Sequence, residues 1–388
     1  MIKSIHLQNF FSFKDEKIDF EEGVNVFVGV NGSGKTNLFK AFELLQCATE
    51  GVGLKKLIID EWGGFDNMVF VNNHECGVNL TFEVILPNAQ DVGYVNNSSI
   101  YYTINISRKD KANYRVSERV YQYIEQESTE KYLHFENGVS ATPKEIHAQY
   151  DADIDAFEAA LGKISYTDKT LGALRKLLSS VSIYGSFDTT LYSKIRQAVL
   201  PTQEKKLLPN GSNLVALLND LKQKDADAFK KIVEALHKVN ENYVGVEFEN
   251  VVNKVVLKVK EKELKESICA THLSDGTLCF LCLLSILYNS NRGSLVCMDE
   301  PELGLHPDMV ITLANAIKNT AETSQLIVTT HSEHILDAFE LENIRVVEKN
   351  EENATVVTKY NRTDFEGWYD VYLPGRMWRA GDIGGNRW

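Results

Sequence analysis

Gly29-Val-Asn-Gly-Ser-Gly-Lys-Thr36 follows directly on an apolar run containing Val24, Val26, Phe27 and Val28. The spacing is G-x-x-x-x-G-K-[ST], the phosphate-binding loop that joins a strand to a helix. Its glycines let the backbone turn tightly, so that successive N–H groups point at one spot. The positive end of the following helix reinforces that spot as an anion site. Leu38, Phe39, Phe42 and Leu45 give that helix an apolar face. The stretch therefore predicts strand, loop and helix, with a nucleoside triphosphate as ligand. Asn31, Gly32, Ser33 and Gly34 would line the phosphates, and Lys35 would reach the β- and γ-phosphates. The Thr36 hydroxyl would ligate Mg²⁺.

Three further stretches carry matching chemistry. Ser294-Leu-Val-Cys-Met-Asp-Glu300 is an apolar strand with an acidic end, a Walker B pattern. There Asp299 would hold Mg²⁺ through its water shell and Glu300 would polarise the attacking water. Leu273-Ser-Asp-Gly-Thr277 opens an apolar helix running from Leu278 to Tyr288. The Ser274 hydroxyl and the Gly276 N–H, at a helix N-terminus, suit a γ-phosphate. Gln325-Leu-Ile-Val-Thr-Thr-His331 is a strand ending in a histidine. Alone, the first reads as readily as a buried strand with an acidic end, and the other two read more readily as a serine cap on a core helix and a structural strand-end histidine.

In combination they resemble the signature, Walker B and switch-histidine motifs of ABC-type ATPases. Pro301-Glu-Leu-Gly-Leu-His-Pro307 resembles the D-loop between the last two. The order matches that family, as do the intervals of 25 residues from Ser274 to Asp299 and 32 from Asp299 to His331. The resemblance implies that Ser274 and Gly276 serve the nucleotide of a second protomer. It also implies that His331 hydrogen-bonds the γ-phosphate and that the D-loop crosses the dimer interface. The opening Met1-Ile-Lys-Ser-Ile-His-Leu-Gln-Asn-Phe-Phe-Ser-Phe13 is similar to the first strand of the RecF, SMC and OLD branch. Asn31 to Leu38 looks like the same branch, as does Asp275 where transporters usually carry a glycine. Thr277 departs from the usual glutamine. Asn67 is the candidate for the Q-loop position.

The resemblance implies an α/β fold: a P-loop NTPase of ABC/RecF type, with a mixed sheet core, an accessory antiparallel sheet and a helical insertion. It implies ATP and Mg²⁺ as cofactors, and ATP hydrolysis. It also implies a homodimer or higher homo-oligomer formed through ATP-bound heads. Gly63-Gly-Phe65 and Leu208-Pro-Asn-Gly-Ser-Asn-Leu214 resemble segments of RecF/OLD-type ATPases of bacterial defence systems. On that analogy the chain is the ATPase subunit of an anti-phage defence complex, controlling a separately encoded effector nuclease. The alternatives are a DNA repair or recombination ATPase of RecF type and, against the RecF-like opening and the long insertion, a transporter's nucleotide-binding subunit.

Composition constrains the partners. The net charge is −13, which opposes a broad electrostatic grip on nucleic acid. A local contact is left to the basic clusters Arg108, Lys109, Lys111, Arg115, Arg119 and Lys254, Lys258, Lys260, Lys262, Lys265, which read first as solvated strand faces balanced by nearby acids. The six cysteines show no disulfide spacing, and Cys279-x-x-Cys282 lies inside an apolar helix, where small core residues are the better reading. Free thiols point to a reducing cytoplasm. The longest apolar stretch is 11 residues, too short for a bilayer.

Along the chain, residues 1–140 read as the first part of the head, with the loop motif and accessory strands Val78–Ile85, Ile100–Ser107, Tyr114–Ile124 and Tyr132–Phe135. Residues 141–240 read as a mostly helical insertion, with Ser212 capping a helix. Residues 241–360 complete the head, adding strands Tyr243–Phe248, Lys254–Lys260, Ile344–Glu348 and Ala354–Thr358. Residues 361–388 form a tail rich in Trp, Arg and Gly, either a docking segment or a stretch folded back on its own head. Asp151, Asp153 and Asp155 could form a nuclease metal site, but acids at a helix start account for them. About 55 residues follow His331, too few for the TOPRIM nuclease domain of about a hundred residues found in OLD-type nucleases. The chain is therefore expected not to be a nuclease itself.

Overall fold

A computed structural model describes the chain except for residues 52, 72, 74–75, 87–98, 111–112, 126–127, 137–138, 141–156, 164–168, 202, 366–372 and 386–388; residues 123–140 are described by backbone only. The expectations for Lys111, for Asp151, Asp153 and Asp155, and for the tail's first and last tryptophans lie outside the described residues. In chain order the strands and helices are β1 (Ile2–Phe10), β2 (Phe13–Asp19), β3 (Val24–Val28), α1 (Lys35–Glu50), α2 (Phe65–Met68), β4 (Val78–Val84), β5 (Ile100–Arg108), β6 (Tyr114–Glu125), β7 (Ser128–Glu136), β8 (Val139–Ser140), α3 (Lys169–Ser179) and β9 (Ser182–Tyr184). There follow α4 (Leu214–Lys224), α5 (Ala226–Val239), β10 (Tyr243–Val251), β11 (Lys254–Glu261), β12 (Ile268–Cys269), α6 (Asp275–Leu287), β13 (Leu295–Asp299), α7 (Pro307–Ala321), β14 (Gln325–Thr330), α8 (Glu333–Leu336), β15 (Ile344–Lys349), β16 (Thr355–Lys359) and α9 (Pro374–Ala380).

The chain divides into two compact units. The first comprises Met1–Glu22, Gly29–Val181 and Val346–Lys359; the second comprises Gly23–Val28, Ser182–Arg345 and Tyr360–Trp388. The chain passes between them just before and just after β3, just before β9, within β15 and just after β16.

The first unit holds a seven-stranded antiparallel sheet in the order β2-β1-β4-β5-β6-β7-β8. The accessory strands are the ones that alternation in the sequence marks. The N-terminal hairpin β1–β2 joins them as the far edge, so the opening motif and the accessory strands share one sheet. Side chains alternate across this sheet, and in β5 every second residue from Ile100 to Ile106 is buried. Helix α1 contributes Leu38, Phe39, Phe42 and Leu45 to the core, as its spacing requires. Phe42 lies 6.1 Å from Phe20 and 6.4 Å from Phe82, and Phe82 stacks on Tyr102 at 6.3 Å. Each such fully buried ring contributes about 1.5–3 kcal/mol by leaving water.

One carboxylate sits inside this core. Glu118 on β6 is 1% exposed and accepts hydrogen bonds from the Tyr102 hydroxyl at 2.6 Å and from the N–H groups of Ala160 and Leu161. Burial outweighs these bonds and pushes the Glu118 carboxyl up to about 7 from the usual 4.5. Between those two values the folded chain keeps a proton that the unfolded chain has lost. The contribution of Glu118 therefore falls as pH rises from 4.5 to 7, by about 3 kcal/mol in all. Urea unfolding of the wild type and of Glu118→Gln, at pH 5 and pH 8, should show the stability gap narrowing at the higher pH. A pH-independent gap would mean that Glu118 is not titrating in the core.

The second unit holds parallel strands in the order β3-β14-β13-β9. β3 and β14 are buried along their whole length, as parallel strands covered on both faces are. Helix α6 has ten of its 13 residues buried and forms the apolar centre of the helical layer with α4, α5 and α7. The three-stranded sheet β10-β11-β12 is covered by α4 and α5. β9 lies within the stretch that reads as helical: only three residues, Ser182-Ile-Tyr184, pair with Val296 to Met298, too few to show a period. The cap of α4 also differs from expectation. Asn213, not Ser212, is the N-cap residue. The Asn213 side chain is spent on Leu208 N–H and Lys206 C=O, both at 2.9 Å, closing the turn before the helix. In the tail, α9 buries Met377 and Trp378, and Gly375 N–H donates to Asp337 at 2.8 Å, so this part packs on its own unit.

Candidate functional site

In the second unit the parallel register sets Asp299 opposite Thr329, and Thr330 opposite Val28. The carboxyl ends of β13, β14 and β3 therefore lie together at one edge, where open α/β sheets take their ligands. Gly29 follows Val28, the last residue of β3, by one peptide bond.

The loop itself belongs to the first unit. Gly34 is the N-cap of α1 at φ 114°, a conformation that side chains disfavour. A β-carbon there would lie 2.2 Å from Thr355 Oγ1 and 2.7 Å from Ser12 Oγ. The Thr355 hydroxyl donates to Ser33 C=O at 2.7 Å and so props the loop from beneath. Lys35 is 5% exposed, and its ammonium reaches back to Gly29 C=O at 2.7 Å and Val30 C=O at 3.3 Å. Ser33 Oγ is buried and has no hydrogen-bond partner among the described residues. Asn31, Gly32 and Thr36 are exposed. A buried cation, an unpartnered hydroxyl and an open rim of backbone at a helix start fit a polyphosphate. Beside the loop an open hollow is lined by Phe11, Ser12, Asn37, Asn67, Phe70 and Lys349. Asn67, the Q-loop candidate, thus borders the hollow, with its amide hydrogen-bonded to Trp62 C=O at 2.9 Å.

At the strand edge, Asp299 accepts from the Thr329 hydroxyl at 2.5 Å. Glu300 takes φ 46°, in the left-handed region, and its N–H donates to Thr329 Oγ1 at 3.0 Å. Such backbone strain on a non-glycine residue is characteristic of functional sites. The Glu300 carboxylate lies 3.0 Å from His331 Nε2, an ion-pair approach rather than an aligned hydrogen bond. One residue that sequence reasoning left unassigned secures this pair. Glu302 Oε1 accepts from the Thr330 hydroxyl at 2.6 Å and from His331 N–H at 2.8 Å. The acid after Pro301 was visible in the sequence, but nothing there says that it reaches the end of β14.

Ser274 caps α6 and accepts from Thr277 N–H at 3.1 Å, so Thr277, the residue that departs from the expected glutamine, closes the turn. Gly276 lies where a β-carbon would come 2.9 Å from Gly304 C=O, and the D-loop therefore packs directly on the signature turn. The Cys279/Cys282 pair sits in α6 with Cys282 buried, and no group of three or more His, Cys, Asp or Glu side chains placed to hold a metal ion occurs among the described residues. Several members of the basic clusters are answered by acids: Arg108 by Asp66, Lys258 by Glu249 and Lys260 by Glu247. Among the described residues, no helix is long and apolar enough to cross a membrane.

Residues 24–337 match the family described as "AAA domain, putative AbiEii toxin, Type IV TA system". The chain belongs to that family. Residues of this chain also align with the "DNA replication and repair protein RecF" of Heliobacterium modesticaldum, 48% identical over 44 residues, which is 11% of this chain and 12% of that protein. The "DNA double-strand break repair Rad50 ATPase" of Archaeoglobus fulgidus is 29% identical over 84 residues, 22% of this chain and 8% of that protein. These alignments span only small parts of the relatives' length. Among solved structures, "the SmcHead bound to the C-winged helix domain of ScpA" superposes with a TM-score of 0.57 at 16% identity, covering 94% of this chain and 99% of that one. An Smc head domain from Pyrococcus furiosus superposes at 0.55 and 14% identity, covering 94% and 97%. The family member described here therefore has the P-loop ATPase head fold of the ABC/RecF/SMC type, as the motif order implied.

Proposed function

We propose that the chain is an Mg²⁺-dependent ATPase whose heads close in pairs around ATP. The observation that carries this reading is the strand edge: Asp299, Glu300 and His331 stand together where β13 and β14 end, beside the strand that runs into the glycine loop. Asn31 to Lys35 hold the triphosphate, and the nucleoside takes the hollow beside Ser12 and Asn67. Thr36 and Asp299 would hold Mg²⁺, which supplies charge neutralisation at the β- and γ-phosphate oxygens. Glu300 accepts a proton from the water that attacks the γ-phosphorus, and ADP leaves. His331, fastened by Glu302, orients Glu300 and donates to the γ-phosphate. Ser274 and Gly276 complete the site of the opposite head.

A subunit-mixing experiment tests the shared site. Lys35→Ala and Ser274→Arg proteins should each be inactive alone, since each spoils every composite site. Mixed, they form heterodimers with one intact site, and ATPase activity returns. Full activity of either variant by itself sinks the shared-site model.

The finer role is the ATPase subunit of a defence complex with a separately encoded effector. It is supported by the resemblance of residues 63–65 and 208–214 to such ATPases, and by a family description that names a toxin of a Type IV TA system. The purified chain should hydrolyse ATP yet leave DNA and RNA intact with Mg²⁺ or Mn²⁺, and should copurify with the product of a neighbouring gene. A repair ATPase is favoured instead by the RecF alignment. Tight ATP-dependent binding to DNA ends or gaps by the chain alone would decide for it, against the net charge of −13.

A further inference from the structure

We infer that Arg196 is the positioning residue of the signature turn, fixing Ser274 from both sides. It sits on a single helical turn, Lys194–Arg196, in the irregular stretch that follows β9. Its side chain is 5% exposed, and all three guanidinium nitrogens are used. Nε donates to Thr189 C=O at 2.8 Å. Nη1 donates to the carbonyls of Ala270 at 3.0 Å, Thr271 at 3.3 Å and Leu273 at 2.7 Å. Nη2 reaches the Asp275 carboxylate at 2.6 Å. Leu273 and Asp275 are the immediate neighbours of Ser274, so one planar fork grips the chain on either side of the signature serine.

The chemistry requires arginine. Four carbonyls and a carboxylate converge on one buried point, and only a guanidinium offers donors spread in a fixed plane to meet them. Three of those carbonyls, of Ala270, Thr271 and Leu273, lie along the short turn Ala270–His272 and its C-cap. Asp275, at the position where transporters usually carry a glycine, is the charge partner of Arg196. It is 72% exposed, so the pair is held chiefly by the buried end. The loop that carries Arg196 is itself stiffened, with Asp188 accepting from the N–H and the hydroxyl of Thr190 at 3.0 and 2.7 Å. A small cavity between that loop, Asp275, Cys279 and the Glu300–Gly304 turn puts the loop beside the Walker B acid as well. Arg196 thus ties the stretch after β9 to the turn that would meet the partner head's nucleotide.

This inference rests on the ATPase reading for its kinetic consequence, but not for its structural one. Arg196→Met keeps the apolar stem and removes the fork. In the full chain, hydrogen exchange of residues 270–276 should speed up by on the order of 10-fold or more, while exchange in α1 stays unchanged. Binding of a non-hydrolysable ATP analogue to single heads should stay within about twofold, because the P-loop is untouched, while kcat falls on the order of 10- to 100-fold. Arg196→Lys, which keeps charge without the fork, should recover only part of that loss. Unchanged exchange at 270–276 overturns the inference, as does a parallel loss of nucleotide binding and kcat. If Arg196→Met does not fold, Asp275→Ala should still quicken exchange at 273–276 and lower kcat; no change in either overturns the inference. A wild-type chain without ATPase activity would refute the proposed function and leave the exchange result to judge Arg196.

Discussion

Lys35→Ala is expected to abolish nucleotide binding, lowering affinity by at least about 100-fold, with the circular dichroism spectrum unchanged. The ammonium is buried at the loop, 2.7 Å from Gly29 C=O, where a triphosphate would meet it with little intervening water. Charge-assisted bonds to phosphate oxygens are about twice as strong as neutral ones, and a cation in a dry site is worth more than one on a surface. Alanine gives up the lysine's bonds to Gly29 and Val30 C=O but keeps the prop from Thr355 Oγ1 to Ser33 C=O, which does not involve the lysine. Titration with a fluorescent nucleotide measures the effect. An affinity within about threefold of wild type would show that this loop does not hold the phosphates.

Glu300→Gln should separate binding from turnover. Glutamine keeps the length of the side chain and its approach to His331 Nε2, which is 3.0 Å in the wild type. It cannot accept the proton of the attacking water. Turnover should fall by a factor on the order of 10²–10⁴, the usual worth of a positioned base, while ATP affinity holds. Paired heads should then accumulate with ATP and be visible by light scattering. A Glu300→Gln protein that hydrolyses ATP at the wild-type rate would remove Glu300 from the mechanism.

The parts of the proposed site that could be read from the sequence share one property: they are residue types that phosphate and metal chemistry would call for, at spacings set by a strand end or a helix start. Gly29 to Thr36, Asp299-Glu300 and His331 are of that kind. The accessory strands were legible because one face of their sheet is buried, which imposes alternation. β9 was not, since three residues carry no period. Arg196 was invisible for a different reason. It is a lone basic residue in irregular chain, and its significance comes from carbonyls some 75 residues away. Glu302 and Thr355 likewise act through contacts that no local pattern encodes. Ser212 misled because a serine before a helix is a frequent cap, whereas here the turn at Leu208 claims the next residue, Asn213, instead.

The Thr355 prop also bears on biosynthesis. The loop at Gly34 is completed by a side chain 322 positions beyond Ser33, on the strand β16. Domains form during synthesis as their contacts become available, and distant pairings come late. A nascent chain that has exposed Gly29 to Thr36, and even Asp299, still lacks the hydroxyl that shapes the cradle. The final shape of the cradle therefore waits on one long-range pairing rather than on the glycine-rich stretch alone.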